Sequence, residues 1–339
     1  MKKVLIYFCG FLILFFIVPV ICTVTKPKEK SQVVEEVSVK QETQETEIQD
    51  YDYQKYKTIK LLHSETMQIE ELNIDEYLYG VVSSEMPANF ELEALKAQAV
   101  VARTYTIYQI IYNSSKHENA DICDNYSCCQ AWISKEERFS KWISEEAESN
   151  WNKIVQAVNE TKGKIVTYNK QPINAFFHAN SGGITESSLN IWSGIDYPYL
   201  KSVETSGEEG YTQYASEVIL NMQELLEKIQ TQYEDCEIDF DKQDSIKILE
   251  YTSSGRVKTI KFGNKEIAGT EARTLLGLKS TKFAVTIDGE NIIFSVTGYG
   301  HGVGMSQTGA DSLAKQGYKY EEIIKHFYTK VEIIDVNSL

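Results

Sequence analysis

Two helical patterns meet at Pro87, and no chain can run through that point as one regular helix. Before it, Ile74, Tyr77, Leu78, Val81 and Val82 recur at the spacing of one helical face. Asn73 opens this helix, with Glu76 three residues on, close to a capping-box pattern. Pro87 biases Met86 toward extended backbone, so the helix is expected over 74–84. Asn89 is the expected cap of a second helix, with Glu91 and Glu93 in its positive first turn. That helix runs to about Tyr112 and is rich in small and apolar residues, which marks it as central. Glu85 therefore stands at the negative end of the first helix, among Val81, Val82, Met86 and Phe90. Both the dipole and the apolar neighbours favour its protonated form, which suits a glycosidase acid. The plain alternative is a solvated glutamate in a loop.

The second helix carries a polar stripe. Lys96, Val100, Arg103 and Ile107 share one line, while Gln98, Ala102 and Tyr105 share another. Long polar side chains among small alanines predict a face that meets something polar, against the alternative of a surface face with snorkelling stems. Residues 57–67 read as two short strands around His63-Ser64, and 151–162 as a helix. Strands are expected at 164–168 and 173–178, and a loop over 181–199. Further on come an amphipathic helix at 220–232, a hairpin at 245–262, and a short helix at 270–276 capped by Thr270. A second hairpin at 283–296 turns at Asp288-Gly289, and helices follow at 311–316 and 320–328. No regular βαβ alternation appears, so the expected class is α+β, with helices and hairpins mixed in a main lobe and a smaller lobe inserted at about 216–290.

The amino-terminal end predicts location. Lys2 and Lys3 precede an apolar run over 4–24, long enough to span a bilayer as a helix. The lysines are expected to stay inside, leaving the rest of the chain extracytoplasmic on a single-pass anchor. A cleaved signal peptide would end at a small-residue site, and Pro19-Val20-Ile21-Cys22 is a poor one. Residues 25–56 are rich in Glu, Lys, Gln and Thr and read as a disordered tether, with the folded domain at 57–339. The formal net charge of −15 gives no support to nucleic acid as a partner.

His117, Cys123, Cys128 and Cys129 supply three thiols and one imidazole, a full tetrahedral set for structural zinc. The alternative is a disulfide within the cluster or one to Cys236. His178 precedes Ser181-Gly182-Gly183, where the glycines let backbone approach a ligand closely and His178 and Ser181 orient groove partners. His301, in its own glycine-rich run, is expected to pack or hydrogen-bond rather than catalyse.

Four separated blocks resemble one family. They are Val82-Ser83-Ser84-Glu85-Met86-Pro87 through Glu93 to Tyr105; Phe177-His178-Ala179-Asn180-Ser181-Gly182-Gly183; Tyr199-Leu200-Lys201-Ser202-Val203; and Gly298-Tyr299-Gly300-His301-Gly302-Val303-Gly304-Met305-Ser306-Gln307. Together they resemble the stage II sporulation protein D family. The resemblance implies a lytic transglycosylase of sporulation engulfment, acting between MurNAc and GlcNAc on peptidoglycan glycan strands already stripped of stem peptides. It also implies stage II sporulation proteins P and M as partners. Carried over block by block, Glu85 looks like the catalytic acid and base, and Lys96, Gln98, Arg103, Tyr199 and Lys201 look like groove residues. Some clostridial-type members carry a second histidine where this chain has Cys128, which puts that ligand in doubt.

The rival function is a non-catalytic, glycan-binding amidase enhancer, which needs a groove but no acid. A zinc peptidase or amidase would need an open metal position, and the cluster fills all four. No second carboxylate suggests itself near Glu85 along the chain: Asp75 and Glu76 lie at the far helix end, and Glu91 and Glu93 suit a helix first turn. One glutamate suffices if the muramic C6 hydroxyl is the nucleophile, giving a 1,6-anhydro product.

Overall fold

The computed structural model describes residues 51–192 and 195–339. The expected anchor and most of the expected tether lie outside these residues. No helix among the described residues is long and apolar enough to cross a membrane.

The protein is a mixed α+β fold. Its elements run β1 (Thr58–Leu62), β2 (Ile69–Asn73), α1 (Ile74–Glu85), α2 (Leu92–Tyr112), β3 (Ile122–Cys123), α3 (Lys135–Lys141) and α4 (Ser144–Asn159). Then come β4 (Lys164–Tyr168), β5 (Gln171–Pro172), β6 (Phe177–His178), α5 (Ser188–Ile191), β7 (Ala215–Asn221) and α6 (Met222–Gln230). The chain closes with β8 (Ile246–Tyr251), β9 (Val257–Phe262), β10 (Lys265–Ala268), α7 (Gly269–Leu276), β11 (Phe283–Asp288), β12 (Asn291–Thr297), β13 (Met305–Ser306), α8 (Gln307–Lys315), α9 (Tyr320–Phe327) and β14 (Glu332–Asp335).

The helix break forms as Pro87 requires. Asn73 caps α1 by accepting from the backbone of Asp75, and Met86 leaves the helix at φ −126°, ψ 142°. The second helix differs from expectation at its start. Glu91, not Asn89, is its first flanking residue and has no side-chain cap. Instead the Glu91 N–H donates to Asp311 of α8 at 2.6 Å, so a distant helix satisfies the amide. Helix α2 then packs against α1, α4, α8, α9 and β4, and most of its residues are buried. Ile74, Leu78, Val81, Leu95, Val100, Ile154, Val166, Ile324 and Phe327 join one main core around it.

A second core gathers Leu225, Ile229, Ile260, Phe262, Ile292 and Phe294. It is built on the sheets β10-β9-β8 and β11-β12-β7, with α6 and α7. One boundary inside it departs from expectation. The stretch expected as one helix from 220 begins as β7, and the helix starts only after Asn221, where Asn221 and Glu224 form a reciprocal capping box. Likewise the strand expected at 173–178 survives only as β6, α3 appears where nothing was expected, and Ala268 rather than Thr270 flanks α7.

The glycine-rich blocks meet in space. Strand β6 pairs in parallel with β13, placing Ser306 beside His178, and Asn180 bridges to Tyr299. Gly304, at φ +75°, passes so close to Phe176 that an added Cβ would lie 1.9 Å from its carbonyl oxygen. Glu208, fully buried, ties both blocks together, accepting from Ser181, Gly183, Thr205, Ser306 and Thr308. Arg256 reaches in from the β8–β9 turn and donates to the carbonyls of Ser181 and Ile184 at 2.8 and 2.9 Å.

Candidate active site

The end of α1 delivers Glu85 to a cleft of about 430 Å³, lined also by Ser84, Asn89, Arg138, Trp142, Glu146, Asn150 and Gln213. Part of Glu85 reaches the cleft surface, while its carboxyl is shielded by the atoms around it. One oxygen accepts from the backbone N–H of Ala131 at 2.7 Å, and the other from the Gln307 side chain at 3.3 Å. Burial pushes the carboxyl up to about 7, and these two hydrogen bonds draw it partly back down. A group poised there can give a proton and take one near neutral pH.

The supports come from far apart in the chain. Ala131 follows the cysteine cluster, and Gln307 opens α8 beyond β13. Arg138 and Trp142 stand at α3, with the guanidinium 4.6 Å from the centre of the indole ring. Glu146 and Asn150 belong to α4. Arg138, Trp142, Glu146 and Gln213 gave no sequence signal as site residues. Gln307 did close a recognisable block. No second carboxylate was found near Glu85 along the chain, and the fold brings one exposed acid, Glu146, to the same cleft from α4.

The residues expected in the groove lie elsewhere: none of Lys96, Gln98, Arg103, His178, Ser181, Tyr199 or Lys201 lines the Glu85 cleft. Arg103 is fully buried, pairs with Asp75 at 3.3 Å, and donates to the carbonyls of Thr161, Lys164 and Val158. Gln98 is likewise enclosed, and neither end of its amide has a partner among the described residues. Lys96 bonds to Glu93 and Glu160, which hold its ammonium in the charged form despite partial burial. These three placements share one cause. Helix α2 is packed against elements on several sides, so Arg103 and Lys96 meet protein acceptors and Gln98 is enclosed. Tyr199 is buried with its hydroxyl accepting from the Asn174 N–H at 2.9 Å, and Lys201 pairs at the surface with Asp196 at 2.7 Å. Ser181 belongs to the Glu208 network.

His178 is buried, with Nδ1 3.2 Å from the Val303 carbonyl and Nε2 unpartnered among the described residues. Burial, then His301 and Arg256, hold it well below the ordinary histidine range, so its ring is neutral. His301 stacks among Phe176, His178 and Trp192, accepts from the Val303 N–H at 3.0 Å, and is pushed down to about 4 by burial.

His117, Cys123, Cys128 and Cys129 converge, with one ligand atom from each lying within 4.8 Å of all the others. The thiols are free, and Cys236 is buried separately in the second core. Four vertices around a metal with bonds of about 2.0–2.3 Å are spaced compatibly with this arrangement.

A family model for the stage II sporulation protein SpoIID matches residues 62–168. The chain is 35% identical to stage II sporulation protein D of Bacillus amyloliquefaciens over 83% of its own length and 80% of that protein's. It is 34% identical to the Bacillus subtilis (strain 168) protein of the same name over the same shares. It is also 32% identical to the amidase enhancer of Bacillus subtilis (strain 168), over 74% of this chain and 39% of that longer protein. With the four sequence blocks joined around one fold, the chain belongs to the stage II sporulation protein D family.

Proposed function

We propose that this protein is a lytic transglycosylase of sporulation engulfment, cleaving peptide-stripped peptidoglycan strands between MurNAc and GlcNAc. The observation that carries this is Glu85, a carboxyl pushed up to about 7 beside an open cleft. Protonated Glu85 gives its proton to the glycosidic oxygen as the bond from C1 to that oxygen breaks. The carboxylate left behind is stabilised by the Ala131 and Gln307 donors. It then takes the proton from the C6 hydroxyl of the same muramic residue as O6 bonds to C1. Glu85 is regenerated, a 1,6-anhydro end forms, and no water is consumed. Mass spectrometry of the fragments tests this: anhydro ends, each one water lighter than a reducing end, are expected. Reducing ends alone would refute it and turn attention to Glu146 as partner carboxylate of a hydrolase.

The converged cysteine cluster supports a structural zinc held by His117, Cys123, Cys128 and Cys129. Filling all four positions, the metal would brace the segment from which Ala131 reaches Glu85. In the same proposal, residues 4–24 anchor the protein singly in the cell membrane, with the enzyme outside and stage II sporulation proteins P and M as partners.

The relation to the amidase enhancer supports a second reading, in which the cleft binds glycan and stimulates an amidase without cutting. Glu85→Gln separates the two. It abolishes cleavage under the first, and leaves amidase stimulation intact under the second.

A further inference from the structure

The sequence contains four arginines, Arg103, Arg138, Arg256 and Arg273. Three are committed to protein oxygens: Arg103 to Asp75 and three carbonyls, Arg256 to Ser181, Ile184 and Ser254, and Arg273 to Leu278. Arg138 differs. Among the described residues it has no ion pair, its Nε is buried without a partner, and no acceptor meets either Nη. The residue is only half-buried and lines the Glu85 cleft, so the two Nη atoms remain accessible from it. The guanidinium lies 4.6 Å from the centre of the Trp142 ring, and burial alone draws the group below its ordinary range. A guanidinium lacking an acceptor matches a carboxylate, which it can bind through two parallel N–H donors. The cleft's other ionisable side chains are the acids Glu85 and Glu146, and the whole chain is acidic, so an anionic ligand needs a local cation.

We propose that Arg138 is the specificity residue of this cleft, receiving the free lactyl carboxylate that a muramic residue carries once its stem peptide has been removed. The inference rests on the glycan-cleaving function proposed above. In an intact strand that lactyl carbonyl is an amide, neutral and continued by the peptide. Hydrolysis of the amide frees a carboxylate at each muramic residue. A cationic receptor thereby selects stripped strands by charge, where a narrow groove would select them by size alone.

The test uses the full-length chain in detergent carrying Glu85→Gln, so that strands stay uncut. Binding is measured by calorimetry for peptide-free glycan strands and for the same strands with their lactyl carboxylates converted to methylamides. Carboxylate strands should bind roughly tenfold tighter or more, the scale of a charge-assisted hydrogen bond. Adding Arg138→Gln should erase that preference, and Arg138→Lys should restore part of it. Thermal melting checks that each variant is folded, and the preference of the Arg138-containing protein is itself a test that needs no change at that position. Equal binding of both strand forms would overturn the assignment while leaving a glycan-binding cleft. A preference that survives Arg138→Gln would place the receptor elsewhere. Binding of neither form would remove the glycan reading and the assignment together.

Discussion

Glu85→Gln should alter how folding stability depends on pH as well as slow cleavage severely. In the folded protein the Glu85 carboxyl is pushed from the ordinary 4.5 up to about 7 by burial. That difference amounts to about 3 kcal/mol, at 1.36 kcal/mol for each tenfold change in proton affinity. The folded state holds the proton more tightly than the unfolded chain does. Its contribution is therefore fully present below the unfolded value of 4.5 and is lost as pH rises through about 7. Glutamine has nearly the same shape, keeps an oxygen for the Ala131 N–H, and is neutral at every pH. Subtracting the unfolding free energy of the natural protein from that of the variant cancels the titrating groups the two proteins share. The difference should grow in favour of glutamine by about 3 kcal/mol between about pH 4.5 and about pH 8. Urea unfolding followed by circular dichroism across that range measures it. A difference that stays flat within about 1 kcal/mol would mean an ordinary carboxyl, and the acid-base role would lose its physical basis. On stripped glycan the same variant should turn over about 10²–10⁴-fold more slowly, the usual worth of a positioned general acid.

Arg103→Ala should destabilise the fold by about 3–5 kcal/mol, because it removes the cation paired with buried Asp75 and the donor that Arg103 gives to three carbonyls. Normal unfolding with lost glycan binding would instead return Arg103 to the groove. Metal analysis of the purified protein should find about one zinc per chain, as a four-ligand site requires, and Cys123→Ser or a chelator should lower the melting temperature. Metal-free protein with an undiminished melting temperature would refute that. Gly304→Ala should cost more than about 2 kcal/mol, since the residue is at φ +75° with no room beside Phe176, and near-natural stability in urea would show that the β6–β13 pair yields.

What could be read along the chain was local. Apolar spacing placed α1, Pro87 ended it, and β4, the β8–β9 and β11–β12 hairpins and α9 fell close to their expected positions, because each pattern lies within its own segment. Helix α3 left no such trace, since none of its residues is buried and so no apolar stripe marks it. Strand β7 was hidden because most of its residues are exposed or half-buried, and its Asn221-x-x-Glu224 boundary went unread. The same division runs through the site. Glu85 was legible as a carboxyl at a helix end among apolar neighbours, all within a few residues. Its supports were not, because Ala131 and Gln307 stand 46 and 222 residues away and are joined to it by packing alone. The polar stripe of α2 shows the limit most sharply. Periodicity reveals which side chains share a face, yet not whether that face meets a ligand, water or a buried partner. Only the packing of α1, α4 and β4 around α2 decided that Arg103 would meet Asp75 and three backbone carbonyls, while Arg138, from a short helix with no pattern of its own, would face the cleft.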